Sequence, residues 1–319
     1  MFRVIARTML VASGLLASAA QAAWPEQPVT IINPFAAGGI ADVIARLTAE
    51  RLQAAFKQTF IVENMPGGAG IVAADRVIKA APDGYTLMST PIFQITMAPF
   101  THNVTFDAKR DFKPISAVAA SPFVITVAGS FPGNTLADFI VYVKANPGKV
   151  TYGSAGAGSL THISSVVFLK SAGLDMVHVP YRGVAPAFTD LLAGHITMLS
   201  ASPVELKPYL ESGKVKLLAV TGATRSRQLP NVPTVAETLK SPPVVTYNGL
   251  LAPAGTPPDI VDAMSRELVA AGKDAEFVDR LVKVGLEPIL STPDEFAKII
   301  AADTEQWRDI VRDLNLKPQ

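Results

Sequence analysis

Two periods of apolar residues alternate along the chain. Short β-branched runs at residues 29–32, 60–62 and 86–89 read as strands, and the stretches between them carry apolar residues every three to four positions. Ile44, Leu47 and Leu52 share one side of a helix predicted over 41–56, and a second helix is predicted to run up to Ala81, where Pro82, Asp83 and Gly84 stop it. The pattern restarts at Phe123. Strands are predicted at 124–127, 150–152, 176–179, 196–199 and 215–220, with helices up to residues 146, 172, 193 and 211 between them. Thr135 stands at a helix start as an N-cap. Residues 225–243 are rich in proline and polar side chains and read as an irregular excursion. A strand at 244–247 and a Pro/Gly linker follow, and helices over 259–271, 275–284 and 293–314 end the chain, with Pro258 at a tolerated first-turn position.

Strand and helix in regular alternation predict βαβ units built on parallel sheets. Two such series followed by a helical tail assemble in one of two ways. The domains are sequential, or the tail returns to the first series and two strands cross between lobes near residues 121–124 and 244–248. The second arrangement makes a hinge that bends without unfolding either lobe. Periodicity alone does not choose between them.

The first residues have a separate grammar. Arg3 and Arg7 precede an apolar run from Met9 to Ala20, and Ala20-Gln21-Ala22 offers a small-residue cleavage site before Ala23. The run is shorter than the roughly 20 residues a membrane span needs. A cleavable export signal over 1–22 and a periplasmic mature chain are therefore expected.

Lys and Arg number 28 against 27 Asp and Glu, a formal charge of +1 that gives no broad electrostatic claim on nucleic acid. The absence of Cys removes a disulfide framework, thiolate chemistry and lipid attachment at the cleavage site. His102, His162, His178 and His195 have no close metal-ligand spacing, so neither metal nor cofactor is expected.

Candidate chemistry lies in three loops, residues 35–39, 154–159 and 181–183, which each follow a strand, are rich in small residues and lead into a helix. The first N–H groups of a helix have no internal partner and sit at its positive end, so such loops trap anions. In open α/β sheets they gather where ligands bind. The similar loop at 64–70 reads as a structural turn. Gly153, Gly156 and Gly158 do not make a dinucleotide fingerprint because Thr161 holds the third position, and no loop continues into the P-loop lysine. Tyr152 stands where a nucleophile elbow would need glycine, which leaves a Ser154–His162 hydrolase as a weak rival. Asp42 either stabilises its helix start or accepts from a ligand amine or hydroxyl. Arg182 either forks onto a ligand carboxylate or stands on a rim.

Seven ordered blocks of this sequence resemble the receptors of tripartite tricarboxylate transporters, the TctC or Bug family. They include Ile32-Asn33-Pro34-Phe35 with Gly38-Gly39 and Asp42, Pro66-Gly67-Gly68-Ala69-Gly70, Pro82-Asp83-Gly84-Tyr85, Tyr152-Gly153-Ser154 up to His162, and His178-Val179-Pro180-Tyr181-Arg182-Gly183. The resemblance implies a periplasmic binding protein type II fold, two Rossmann-like α/β lobes joined by a two-strand hinge. Lobe 1 is expected over 23–122 plus 249–319 and lobe 2 over 123–248. It also implies no enzymatic activity. The partners it implies are a small organic carboxylate and the membrane subunits of a transporter, with a sensor kinase as the rival recipient. A monomer that binds no nucleic acid is expected. By position it nominates Phe35, Ala36, Gly39 and Asp42 in the first lobe and Ser154, Ser159, His162, Tyr181 and Gly183 in the second. Two departures from the family pattern are Ala37 in place of a usual proline and Ile40 in place of a small or polar residue. Ile40 makes that wall more apolar and shifts the expected solute from a dicarboxylate towards an aromatic or aliphatic monocarboxylate.

Overall fold

The computed structural model describes residues 24–313 except Thr105 and Glu211, so the export signal expected over 1–22 lies outside the described residues. The first series forms β1 (Val29–Asn33), α1 (Ile40–Phe56), β2 (Phe60–Asn64), α2 (Ile71–Ile78) and β3 (Thr86–Pro91). Three short helices, α3 (Phe93–Thr96), α4 (Ala98–Thr101) and α5 (Ala108–Asp111), lead into the long strand β4 (Phe112–Pro122). The second series is β5 (Val124–Ala128), α6 (Leu136–Ala145), β6 (Thr151–Ser154), α7 (Leu160–Ala172), β7 (Val177–Pro180), α8 (Val184–Ala193), β8 (Met198–Ala201), α9 (Pro203–Leu210) and β9 (Val215–Val220). The chain ends in β10 (Val245–Pro253), α10 (Pro258–Ala271), α11 (Ala275–Lys283), β11 (Glu287–Pro288) and α12 (Pro293–Asp313).

Two sheets result, one with strand order β11-β4-β10-β3-β1-β2 and one with order β7-β6-β8-β5-β9. Strand β10 returns to the first sheet and pairs with β3 and β4, so the helical tail packs on the first series: α10 and α12 both lie against β4. Each sheet is covered on both faces. Ile31, Ile44, Leu87, Val118, Leu250 and Leu268 fill one side of the first sheet, and Ile32, Met88, Ile95, Leu251 and Phe296 fill another cluster. The second lobe has its own two clusters, built around Phe139 and Phe168 and around Phe188 and Leu199. Each such side chain contributes roughly 1.5–3 kcal/mol by leaving water.

Three expectations need correction. The sheets are mixed: β10 runs antiparallel to β3 and β4, and β5 runs antiparallel to β8 and β9. A chain that leaves one sheet for another and comes back must enter each in both directions. The second helix ends at Ile78 rather than Ala81, and the strand expected at 244–247 extends to Pro253. Strand β4 was not expected at all. Its sequence carries Pro114, Pro122 and several Ala and Ser, weak strand formers that pairing with β10 on one side and β11 on the other holds extended.

The lobes communicate through two crossings, from β4 into β5 and from the 225–243 excursion into β10. Thr221 ties them together. Its amide donates to Phe123 O (2.8 Å) and its carbonyl accepts from Val244 N (2.9 Å). Its hydroxyl accepts from Phe123 N (2.9 Å) and donates to Val244 O. Both strands thus bend about one buried residue.

Candidate functional site

A cavity of about 490 Å³ lies between the lobes. The first lobe contributes Phe35, Gly39, Ile40 and Ala41 from the loop into α1, with Phe93 and Met97 beside them. The second contributes Ala155, Gly158, Ser159, Leu160 and Thr161 from the loop into α7, together with Val184, Ser202 and Glu205. Ser121, Phe123, Thr246 and Asn248 line it from the hinge strands. A second groove of about 570 Å³ runs between α7 and α12, lined largely by apolar or aliphatic surface such as Val166, Pro243 and Ile310. No glycine loop opens into it, so the inter-lobe cavity is the candidate site.

The two helix starts explain why. Gly39 caps α1 in an extended conformation with no side-chain hydrogen bond, which leaves first-turn N–H groups available at the cavity. Gly38 before it takes φ +84°, a conformation that glycine adopts without strain. Ser159 caps α7 and accepts from His162 N (3.3 Å), while Leu160 and Thr161 at the same helix start line the cavity. Both ends present partial positive charge to one space.

Of the nine residues nominated from the sequence, Phe35, Gly39 and Ser159 line this cavity. Ala36 is exposed on the loop crest. Asp42 is 2% exposed, and its oxygens are taken by the protein: Oδ2 accepts from Gly38 N (2.9 Å) and Arg46 Nε (2.9 Å), and Oδ1 accepts from Asn64 Nδ2 (2.9 Å). Asn64 also donates to Phe35 O (2.9 Å), so the loop at 64–70 braces the first glycine loop from behind. Burial pushes the Asp42 carboxyl up, but the Arg46, Gly38 and Asn64 hydrogen bonds outweigh it and hold it below the ordinary value.

Ser154 is fully buried. Its hydroxyl donates to Gly156 O (3.0 Å), accepts from Gly156 N (3.1 Å) and meets His178 Nε2 at 2.7 Å. The imidazole at Ser154 is therefore His178, not His162. His178 is the middle ring of a stack, its centroid 4.0 Å from that of His162 and 4.9 Å from that of Tyr152, and His162 Nδ1 accepts from Gly158 N (3.1 Å). That bond places the proton of the neutral ring on Nε2. Burial, then repulsion from His178, lowers the His162 pKa to about 4, so the ring is neutral at physiological pH. Tyr181 donates to Asp190 Oδ2 (2.6 Å), and burial together with that bond pushes its phenol up to about 12. Tyr181 and Gly183 do not line the cavity, although Val184 just after them does, and Arg182 is exposed away from it.

Sequence reasoning missed Asn248, Thr246, Ser121 and Glu205. The hinge residues sit on strands whose pairing no local pattern announces. Glu205 reads as an ordinary first-turn acid, and it does hold Ser202 N (2.8 Å) and Ser202 Oγ (2.7 Å). Among the described residues no group of His, Asp and Glu is arranged to hold a metal, and no helix is long and apolar enough to cross a membrane.

The family model described as "Tripartite tricarboxylate transporter family receptor" matches residues 44–316. Three solved structures are similar over nearly the whole chain. A TctC solute-binding protein from Polaromonas, without ligand, is 28% identical, with 91% of this chain and 100% of that one covered and a TM-score of 0.81. The R. palustris protein Rpa4515 with adipate is 30% identical over 93% and 100%, with a TM-score of 0.73. MatC from Rhodopseudomonas palustris with bound malate is 29% identical over 90% and 100%, with a TM-score of 0.68. At nearly equal identity, the backbone agrees better with the ligand-free relative than with the two ligand-bound ones.

Proposed function

From the premise that this chain belongs to the tripartite tricarboxylate transporter receptor family, we propose that it is a periplasmic receptor that closes on a small organic carboxylate and delivers it to the membrane subunits of such a transporter. The observation that carries this reading is the meeting of two helix N-termini, from opposite lobes, at one cavity. A carboxylate there exchanges its water for main-chain N–H donors, which are already oriented and bring no counter-charge to be desolvated. Apolar walls from Phe35, Ile40, Phe93 and Leu160 lower the local dielectric and strengthen those bonds.

Capture requires the lobes to move. The two crossings tied at Thr221 are the hinge, and each lobe has its own core, so a rotation leaves both intact. Export follows from the signal pattern over 1–22, which cleavage would remove.

A binding role without turnover is supported by the placement of Ser154. Its hydroxyl is fully buried and spent on its own loop, out of reach of an ester or amide in the cavity. Solution scattering with and without a panel of mono- and dicarboxylates, 4-hydroxybutyrate, 6-aminohexanoate, adipate and malate among them, tests the reading. Compaction with a carboxylate, and thermal stabilisation that follows mass action, are expected. A radius of gyration unmoved by every acid tried, together with an unmoved melting point, would remove it.

A further inference from the structure

The charge balance of the cavity says more about the solute than the helix ends do. Among the described residues that line it, none is Lys, Arg or His, and Glu205 is the one formally charged side chain. Glu205 is half-buried at the start of α9. Its Oε2 is held by Ser202 N and Oγ, and no protein donor or cation among the described residues meets Oε1. Asn248, 2% exposed, also lines the cavity from β10; its amide has both N–H and C=O, and its Oδ1 is buried without a donor. The cavity therefore offers main-chain donors for an anion, while its one charged side chain, Glu205, is an acceptor with an oxygen that no protein donor meets.

We propose that the solute of this receptor carries one carboxylate and, at its other end, a hydrogen-bond donor such as an amide, a hydroxyl or an ammonium group, which Glu205 reads. The inference rests on the carboxylate-receptor reading and narrows it. A second carboxylate brought into this space would face Glu205 with no cationic side chain to offset the repulsion, and like charges forced together across an interface are strongly disfavoured. The hydroxyls of Ser121 and Thr246 do not choose, because each can donate or accept. Glu205 is the discriminating residue, since an ionised carboxylate only accepts. A donor-terminated acid fills the unmet valence of Glu205 Oε1 as the lobes close. The closed form is then favoured by bonds at both ends of the solute.

The test is calorimetric titration of the mature protein with matched acids of two lengths. Succinate, succinamate, 4-hydroxybutyrate and 4-aminobutyrate form one set; adipate, its monoamide, 6-hydroxyhexanoate and 6-aminohexanoate form the other. In each length that binds, the best donor-terminated acid is expected to bind at least about tenfold more tightly than the dicarboxylate. Glu205→Gln keeps an acceptor for Ser202 and removes the charge. It should narrow that gap by about tenfold, weakening the ammonium compounds and admitting the dicarboxylates. Dicarboxylates that bind wild type as tightly as the donor-terminated acids overturn the proposal and leave the carboxylate reading standing. If no acid of either set binds, native mass spectrometry of protein taken from the periplasm decides. A retained solute with one carboxylate and a donor sustains the proposal, one with two carboxylates overturns it alone, and one with no carboxylate overturns both.

Discussion

The loops at residues 35–39 and 154–159 both leave a parallel strand and enter a helix at the same cavity, yet they are braced by different chemistry. Behind the first stands an ionised carboxylate, Asp42, with Arg46, Asn64 and the Gly38 amide around it. Behind the second stand neutral groups: the Ser154 hydroxyl, the stacked rings of Tyr152, His162 and His178, and Thr161, whose Oγ1 accepts from Ala155 N at 2.9 Å. The charged brace meets water at one end, where Arg46 is half exposed and screened, although Asp42 itself is buried. The neutral brace is inside the lobe, where an unpaired charge would be costly. One design problem, holding a glycine loop open to an anion, thus has two solutions, a carboxylate paired with a cation that reaches water and a neutral network that does not.

Three experiments sharpen that contrast. The largest effect is expected from Asp42→Ala, which strips three donors of their acceptor at once. A loss of about 2–4 kcal/mol in urea unfolding is expected, with carboxylate affinity lowered as the first loop slackens. Unchanged stability would mean that the loop needs no brace.

Acid separates the two braces next. The folded His162 pKa of about 4 lies below its ordinary 6.5, so the unfolded chain takes up a proton that the fold refuses. Stability from this ring is complete above pH 6.5 and is lost as pH falls through about 4, with a ceiling of about 3 kcal/mol. His178 is lowered in the same direction by its burial. Asp303 under the hinge works the other way. Burial raises it from 3.8 to about 6 against the bonds from Thr96 and Trp307, so its contribution is present below pH 3.8 and lost as pH rises through about 6. Melting curves between pH 6.5 and 5 should therefore fall with acid in wild type less steeply than in Asp303→Asn, and should flatten in His162→Gln.

The smallest effect is expected from Ser154→Ala, about 1–2 kcal/mol of stability with a modest loss of affinity, since the loop keeps its Thr161 anchor. A hydrolase would instead lose all turnover on a chromogenic ester, so a detectable wild-type activity abolished by this change would reverse the reading of the second loop.

Much of the fold was legible because it is local. Thr135 forms its capping box with Asp138, and Pro258 opens α10, since caps act over three or four residues of contiguous chain. The glycine loops could be found for the same reason. Asp42 could not be assigned, because its role depends on Asn64, a residue 22 positions away that parallel pairing of β1 and β2 brings beside the loop. Ser154 and His162 flank one loop in the sequence, but the ring that meets the hydroxyl is His178, carried in by β7.

By itself the sequence determined the alternation of strand and helix, the small-residue loops that can receive an anion, and the likeness to a receptor family, because each is written in neighbouring residues. The family likeness implied that the tail returns to the first lobe; only the tertiary structure decided that it does so through β10, that Thr221 ties the hinge, and that Asn248 and Glu205 face one cavity with the two helix ends. Those facts depend on strand pairings across more than a hundred residues, whose energy comes from burial and ladder hydrogen bonds that exist only once both partners are in place.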